Sequence, residues 1–103
     1  MAKVVLSEPA KCDLLDIKYY ISIELCNPQS AKKTANGILN VIRSLEVYPR
    51  RHSYVNNTNL RIRGVRMIRY GNYNIFYHCS NNDVVYVIRI LYGQSDWENI
   101  LKE

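Results

Sequence analysis

Between positions 50 and 77 every charged side chain is an arginine: Arg50, Arg51, Arg61, Arg63, Arg66 and Arg69, with no aspartate or glutamate among them. A guanidinium is a planar fork of donors matched to phosphate or carboxylate, whereas a lysine ammonium is a hydrated point charge. A surface built only for solubility mixes lysine with glutamate. Like charges without a counterion repel one another, and an acidic partner relieves that repulsion. The segment therefore reads as a site for an anionic partner. The chain's two histidines, His52 and His78, and its nine tyrosines are the remaining side chains able to handle protons or stack on bases. Each also has a plainer role, in a solvated loop, on a strand or in the core.

The charge is local. Residues 1–49 carry six basic and five acidic side chains, and residues 78–103 carry two basic and four acidic, so the net charge of +5 belongs to the arginine segment. At 103 residues the chain is expected to form one domain, 1–103, around a modest core. No run is long and apolar enough to span a bilayer, and Met1 to Ser7 lacks the apolar stretch of a signal peptide. The expected location is cytoplasmic, away from membranes. Cys12, Cys26 and Cys79 have neither pairing nor ligand spacing, so they are expected as buried free thiols, with no metal or cofactor.

The elements that must position these groups follow from periodicity. "KVVLS" reads as a strand, with Ser7 capping the helix that follows and Pro9 in its first turn. Leu14, Ile17, Ile21 and Leu25 recur at helical spacing. "CNP" ends this helix and opens a second, whose stripe is Ala31, Ala35, Ile38, Leu39, Ile42 and Leu45. So short a link makes the pair an antiparallel hairpin. Periodicity lapses from Arg51 to Arg63, read as loop, and then becomes two. "GVRMIRY", a "GN" turn, "YNIFYHC", an "NND" turn and "VVYVIRIL" are three consecutive strands. "SDWE" places Ser95 three residues before Glu98, the pattern of a capping box for a short last helix. The fold class is α+β: the helix hairpin covers one sheet face, and the other face or its rim is left for the partner. Tyr73 with Tyr77, and Tyr86 with Tyr92, are expected to share strand faces. Arg89 is expected to pair with Asp96, and Trp97 to anchor the last helix by packing.

From "GVRMIRYGNYNIFY" through "VVYVIRILYGQSDWENIL" the chain resembles the RelE/ParE superfamily of toxins from bacterial type II toxin–antitoxin modules. The matching positions are Arg66, Gly71, Tyr73 and Tyr77, then Arg89, Leu91, Gly93, Asp96 and Trp97. The resemblance implies a cytoplasmic growth inhibitor, of the kind linked to plasmid stabilization. A cognate antitoxin would neutralise it, the two forming a toxin–antitoxin hetero-oligomer. Two activities are compatible with it. ParE-like members are similar in acting by binding DNA gyrase. RelE-like members are metal-independent endonucleases acting on ribosome-bound mRNA.

The resemblance carries over unevenly. Arg66 matches a basic residue of the first hairpin strand, but Asn74 in "NYN" occupies the place where RelE-like enzymes carry an arginine. An amide offers a scissile phosphate neither charge nor fork. "GQSDWENI" also lacks the C-terminal basic and tyrosine positions. These departures favour the ParE-like reading. If the chain is a nuclease, the catalytic candidates are Arg66, His78 and Tyr92. In either case Arg61, Arg63, Arg66, Arg69 and Tyr73 are the candidates for binding target or antitoxin, with Arg89, Asp96 and Trp97 structural. Strand alternation puts Arg66 with Ile68 and Arg69 with Val65 and Met67, on opposite faces.

Overall fold

The structure, a computed structural model, describes residues 2–101. Strand β1 (Lys3–Leu6) leads into α1 (Glu8–Tyr19), which continues as a π-helical turn, Tyr20–Glu24. The Ser7 hydroxyl accepts from the Ala10 N–H at 3.1 Å and donates to the Ile88 carbonyl at 2.7 Å, so one side chain starts the helix and ties it to the sheet. Cys26 in the left-handed region ends the π turn, and Asn27 then caps α2 (Pro28–Ser44) through the Ser30 N–H. These starts and stops are those expected. The thiols are not: Cys12 and Cys26 are exposed and Cys79 is half-buried. Cys12 lies off the buried face of α1, and Cys26 is in the helix-to-helix turn.

Strands β2 (Arg66–Tyr70), β3 (Tyr73–Cys79) and β4 (Val84–Tyr92) complete a sheet in the order β1-β4-β3-β2. β1 runs parallel to β4 and the other pairs are antiparallel. Gly71, with φ 56°, makes the β2–β3 turn without the strain of a side chain. The β3–β4 register shifts once: Phe76 pairs with Arg89 and Tyr77 with Val87, leaving Ile88 as the extra residue of a bulge. The bulge inverts the expected tyrosine alternation. Tyr86 pairs with His78 and Tyr92 with Tyr73, so Tyr86 and Tyr92 belong to opposite faces.

Two cores hold the sheet. On the helix side Ala10, Ile38, Ile42 and Leu45 pack on Ile75, Tyr77, Val85, Val87 and Ile90. On the other side Val55, Leu60, Val65 and Leu101 pack on Phe76 and Leu91, with Met67, Ile88 and Trp97 at the margin. The second face is therefore covered, so of the two expected places for a partner, that face or its rim, only the rim stays open. Its cover comes partly from α3 (Thr58–Ile62), a short helix inside the stretch read as loop, capped by Asn57 on the Leu60 N–H.

The rest of that cover is α4 (Trp97–Ile100), where Trp97 meets Phe76 at 5.3 Å between ring centroids, as expected of an anchor. The capping box is absent. Ser95 donates to the Tyr92 carbonyl, and Glu98 accepts from Asn57 at 3.0 Å, tying α4 to α3 instead.

Arg89 pairs with Asp13 of α1, not with Asp96. Its Nε and Nη2 donate to the two carboxylate oxygens at 2.7 and 2.8 Å. Asp13 also accepts from the Ile90 N–H at 2.9 Å. β1 pairs with β4 only as far as Val87, and the carboxylate satisfies the edge that β1 leaves open. Asp96 accepts from Asn99 within its own helix.

Asp13→Ala removes three bonds and leaves Arg89 half-buried without a counterion. The expected loss is about 3 kcal/mol, read from denaturant midpoints. Gly37 tests packing differently. A Cβ there would overlap the Tyr70 hydroxyl. Gly37→Ala is expected to destabilise the chain, and to stabilise it by about 1 kcal/mol, the helix-propensity gain, once Tyr70→Ala has removed the ring.

Candidate functional site

The arginine segment folds around the start of β2. Residues 53–55 lie beside β2 as a partial extra strand: Tyr54 bridges Arg66, Met67 N–H donates to Ser53, and Val55 N–H donates to Val65. Arg66 Nη1 donates to the carbonyls of Arg50 at 3.0 Å and His52 at 2.6 Å. Its guanidinium lies 4.0 Å from the centroid of the Tyr54 ring, with Arg61 at 6.0 Å from the same ring. The fully buried Tyr77 sends its hydroxyl to the Pro49 carbonyl at 2.6 Å. Burial, with a smaller push from Cys79, raises that phenol to about 12 against the opposing pull of Arg66 and Arg51. It is a fixed donor, not a proton shuttle. β2 and β3 thus fasten the 3-10 turn Pro49–Arg51 to the end of the sheet.

His52 packs edge-on to Tyr77 at 6.3 Å and accepts from Arg51 Nε at 3.3 Å. Only an unprotonated ring nitrogen can accept, so this contact favours the neutral imidazole. Its pKa is lowered accordingly, first by burial and then by Arg51 and Arg66. Burial also pushes the Cys79 thiol up, with Arg50 and Arg66 pulling the other way.

The expected contact arginines separate into three places. Arg66 and Arg61 stay with the Tyr54 cluster. Arg63 donates to the Leu101 carbonyl at 3.0 Å and holds the end of α4. Arg69 donates through Nε to Gly71 at 2.8 Å, at the hairpin turn. Register places Arg66 opposite Tyr77 and Arg69 opposite Asn74, on opposite faces as alternation requires.

The nuclease candidates do not converge either. Arg66 lies at the Tyr77 end of β3 and Tyr92 at the Tyr73 end, offset by about 13 Å along the strands at ~3.3 Å per residue and separated by β3 as well. His78 points to the face opposite Tyr77 and stacks on Tyr86 at 5.2 Å. Tyr73 packs edge-on against Tyr92 at 5.8 Å, and burial, then Tyr92 and Tyr20, raises its pKa. Asn74 is 6% exposed, and its Oδ1 has no hydrogen-bond partner. Among the described residues no group of three or more His, Cys, Asp or Glu side chains could hold a metal ion.

A second surface lies on the helices. Leu15, Tyr19 and Ile23 are exposed one turn after another along α1 and the π turn, with Tyr20 and Leu25 exposed beside them. No helix among the described residues is long and apolar enough to cross a membrane.

Comparison with known proteins places this geometry. Residues 4–97 match the family model for the ParE toxin of the type II toxin–antitoxin system parDE. The chain belongs to this family. It is accordingly a RelE/ParE-superfamily toxin of a type II toxin–antitoxin module. Among solved structures it is similar to a chain of the chromosomal ParDE toxin–antitoxin system of P. aeruginosa, with a TM-score of 0.70 and 17% identity, covering 89% of this chain and 96% of that one. It is also similar to a chain of the RelBE2 toxin–antitoxin complex of Mycobacterium tuberculosis, with a TM-score of 0.57 and 15% identity, covering 88% and 96% respectively. At those identities the likeness is one of fold. No curated protein matches by sequence.

In this ParE-family chain Tyr54 shapes the site without having been singled out by sequence, as Asp13 does for the docking of α1. Tyr54 gave one usable signal, an aromatic in a polar run beside a strand that opens on arginine. His52 supplies a test. Its pKa is depressed on folding, so the unfolded chain takes up the proton more readily. Stability is then fully present above the ordinary value of 6.5 and is lost as pH falls through the folded value. As pH falls below 6.5 the Tm is expected to fall more steeply in the parent than in His52→Gln. Parallel curves would mean that the ring titrates as freely in the fold as outside it.

Proposed function

We propose that this toxin inhibits growth by binding DNA gyrase and cleaves no nucleic acid itself. The observation that carries the reading is Asn74. The position where the superfamily's nucleases carry an arginine holds a buried amide here, on the face away from Arg66. The scatter of Arg66, His78 and Tyr92 supports it, since general acid, general base and charge stabiliser must converge within hydrogen-bond reach of one phosphate. The match to the ParE family model agrees with it. Action by binding needs only a surface, and the Tyr54 cluster with Arg61 and Arg66 supplies a cationic one.

The cognate antitoxin is an acidic, amphipathic segment that folds as it binds. Its apolar residues take the Leu15–Tyr19–Ile23 stripe and the Tyr20, Tyr73 and Tyr92 rings, and its acidic residues approach the arginines. Affinity then comes mainly from the apolar anchors, and charge sets on-rate and salt dependence.

Induced expression followed by two assays in parallel tests the reading: gyrase supercoiling on one side, mRNA cleavage on translating ribosomes on the other. Inhibited supercoiling with intact mRNA is expected, and ribosome-dependent cleavage would establish the RelE-like activity instead. Arg66→Ala is expected to remove most growth inhibition from a chain that still folds, and Arg69→Ala to retain it. Circular dichroism of both variants separates loss of contact from loss of fold.

A further inference from the structure

Behind the Tyr54 cluster, the same Pro49–Arg51 turn forms one wall of an open cleft of about 580 Å³, lined by Glu46, Tyr48, Arg50, Arg51 and Asp83. We propose that this cleft binds a nucleotide: the base on the Tyr48 ring, the phosphate on Arg50 and Arg51, and base amino groups or sugar hydroxyls on the Glu46 and Asp83 carboxylates. The site is independent of the target assigned above.

Three observations carry it. The first is strain. Tyr48 and Asp83 have φ of 47° and 58°, so two of the three non-glycine residues in the left-handed region among the described residues line one cleft. Asp tolerates that conformation moderately and a tyrosine poorly, and such strain concentrates at functional sites. The second is exposure. Tyr48 is 78% exposed, so its ring adds almost nothing to either core and is free to stack.

The third is the state of the arginines. Arg50 Nη2 donates to the Ser80 carbonyl at 3.3 Å, and Arg51 donates through Nη1 to the Val47 carbonyl at 3.0 Å and through Nε to His52, which fixes both guanidinium groups with N–H donors to spare on each. No carboxylate lies within ion-pair distance of either among the described residues, although Glu46 and Asp83 line the same cleft.

The mixture of charges selects the ligand. An acidic peptide would meet Glu46 and Asp83 as like charges, and a lone phosphate would leave the tyrosine unused. A nucleotide uses every group: aromatic for base, guanidinium for phosphate, carboxylate for an amino group such as that of cytosine. The volume falls within the range of roughly 300–1,000 Å³ usual for small-molecule sites.

The nucleotide can be free or the unstacked unit of a single strand. Fluorescence titration of the full chain with methylanthraniloyl-labelled ATP and GTP, beside fluorescein-labelled dT12 and rC12, distinguishes the two sources. Saturable binding in either arm is expected. It should weaken roughly tenfold or more in Tyr48→Gly and in Arg50→Gln/Arg51→Gln, and stay unchanged in Lys33→Gln, the loss of an exposed charge on α2. Glycine accepts the backbone at position 48, so Tyr48→Gly should keep or raise the Tm and cannot mimic the result by unfolding. The proposal is overturned if neither probe binds or if Tyr48→Gly binds as tightly as the parent. Displacement of the nucleotide by triphosphate or polyglutamate as effectively as by unlabelled nucleotide would also sink it, leaving only an anion patch.

Discussion

The fold turns on one carboxylate. β1 is four residues long and leaves the edge of β4 open beyond Val87, where an unmet backbone donor would be costly. Asp13 meets the Ile90 N–H there and takes the fork of Arg89 in the same contact. Two turns earlier on the chain Ser7 holds the Ile88 carbonyl. Between them the fully buried Ala10 brings the helix backbone close to the sheet. α1 is thereby docked by its polar groups as much as by its apolar ones. That explains why its apolar side chains Leu15, Tyr19 and Ile23 can face outward without loosening it.

With α1 fixed and both sheet faces covered, the surfaces left open lie at the margins. One margin is the outer side of α1 and the π turn, where the tyrosines at 20, 73 and 92 continue the apolar surface. The other is the end of the sheet where β2 begins, and where segment 49–54 is fastened by Arg66 and Tyr77. The first surface is apolar and suits a partner that folds onto it. The second is cationic and suits a partner that arrives with charge. A single sheet thus carries two surfaces of different chemistry on elements that cannot shift independently.

Most local signals in the sequence were accurate because their causes are local, the Ser95–Glu98 capping box being the exception. Ser7 and Asn27 cap the helices they precede, Gly71 makes the turn its φ demands, and alternation separates Arg66 from Arg69. What failed was set by topology. Arg89 has an aspartate seven residues away, yet it pairs with one 76 residues away, because the chain order leaves that edge of β4 open. The bulge at Ile88 inverted the tyrosine faces, and no composition marks an inserted residue. α3 is five residues in a polar run, too short for periodicity to register. The arginine segment was legible as charge, but not as three separate groups, since α3 and the strand register decide which arginines meet.

The same fact explains why these side chains are arginines. Arg63, Arg66 and Arg69 each fasten a backbone carbonyl, at the end of α4, at the 50–52 segment and at the hairpin turn. A lysine could hold such a carbonyl too, but its ammonium is a compact, strongly hydrated point charge without a planar fork. A guanidinium has five N–H donors in a plane, so it can secure a loop with one edge and keep another for an anion. Segment 49–54 is poor in apolar side chains and would fray without such bonds. The same guanidinium can therefore shape a loop and still offer free donors to an anion, so structural and contact roles need not be alternatives for one arginine.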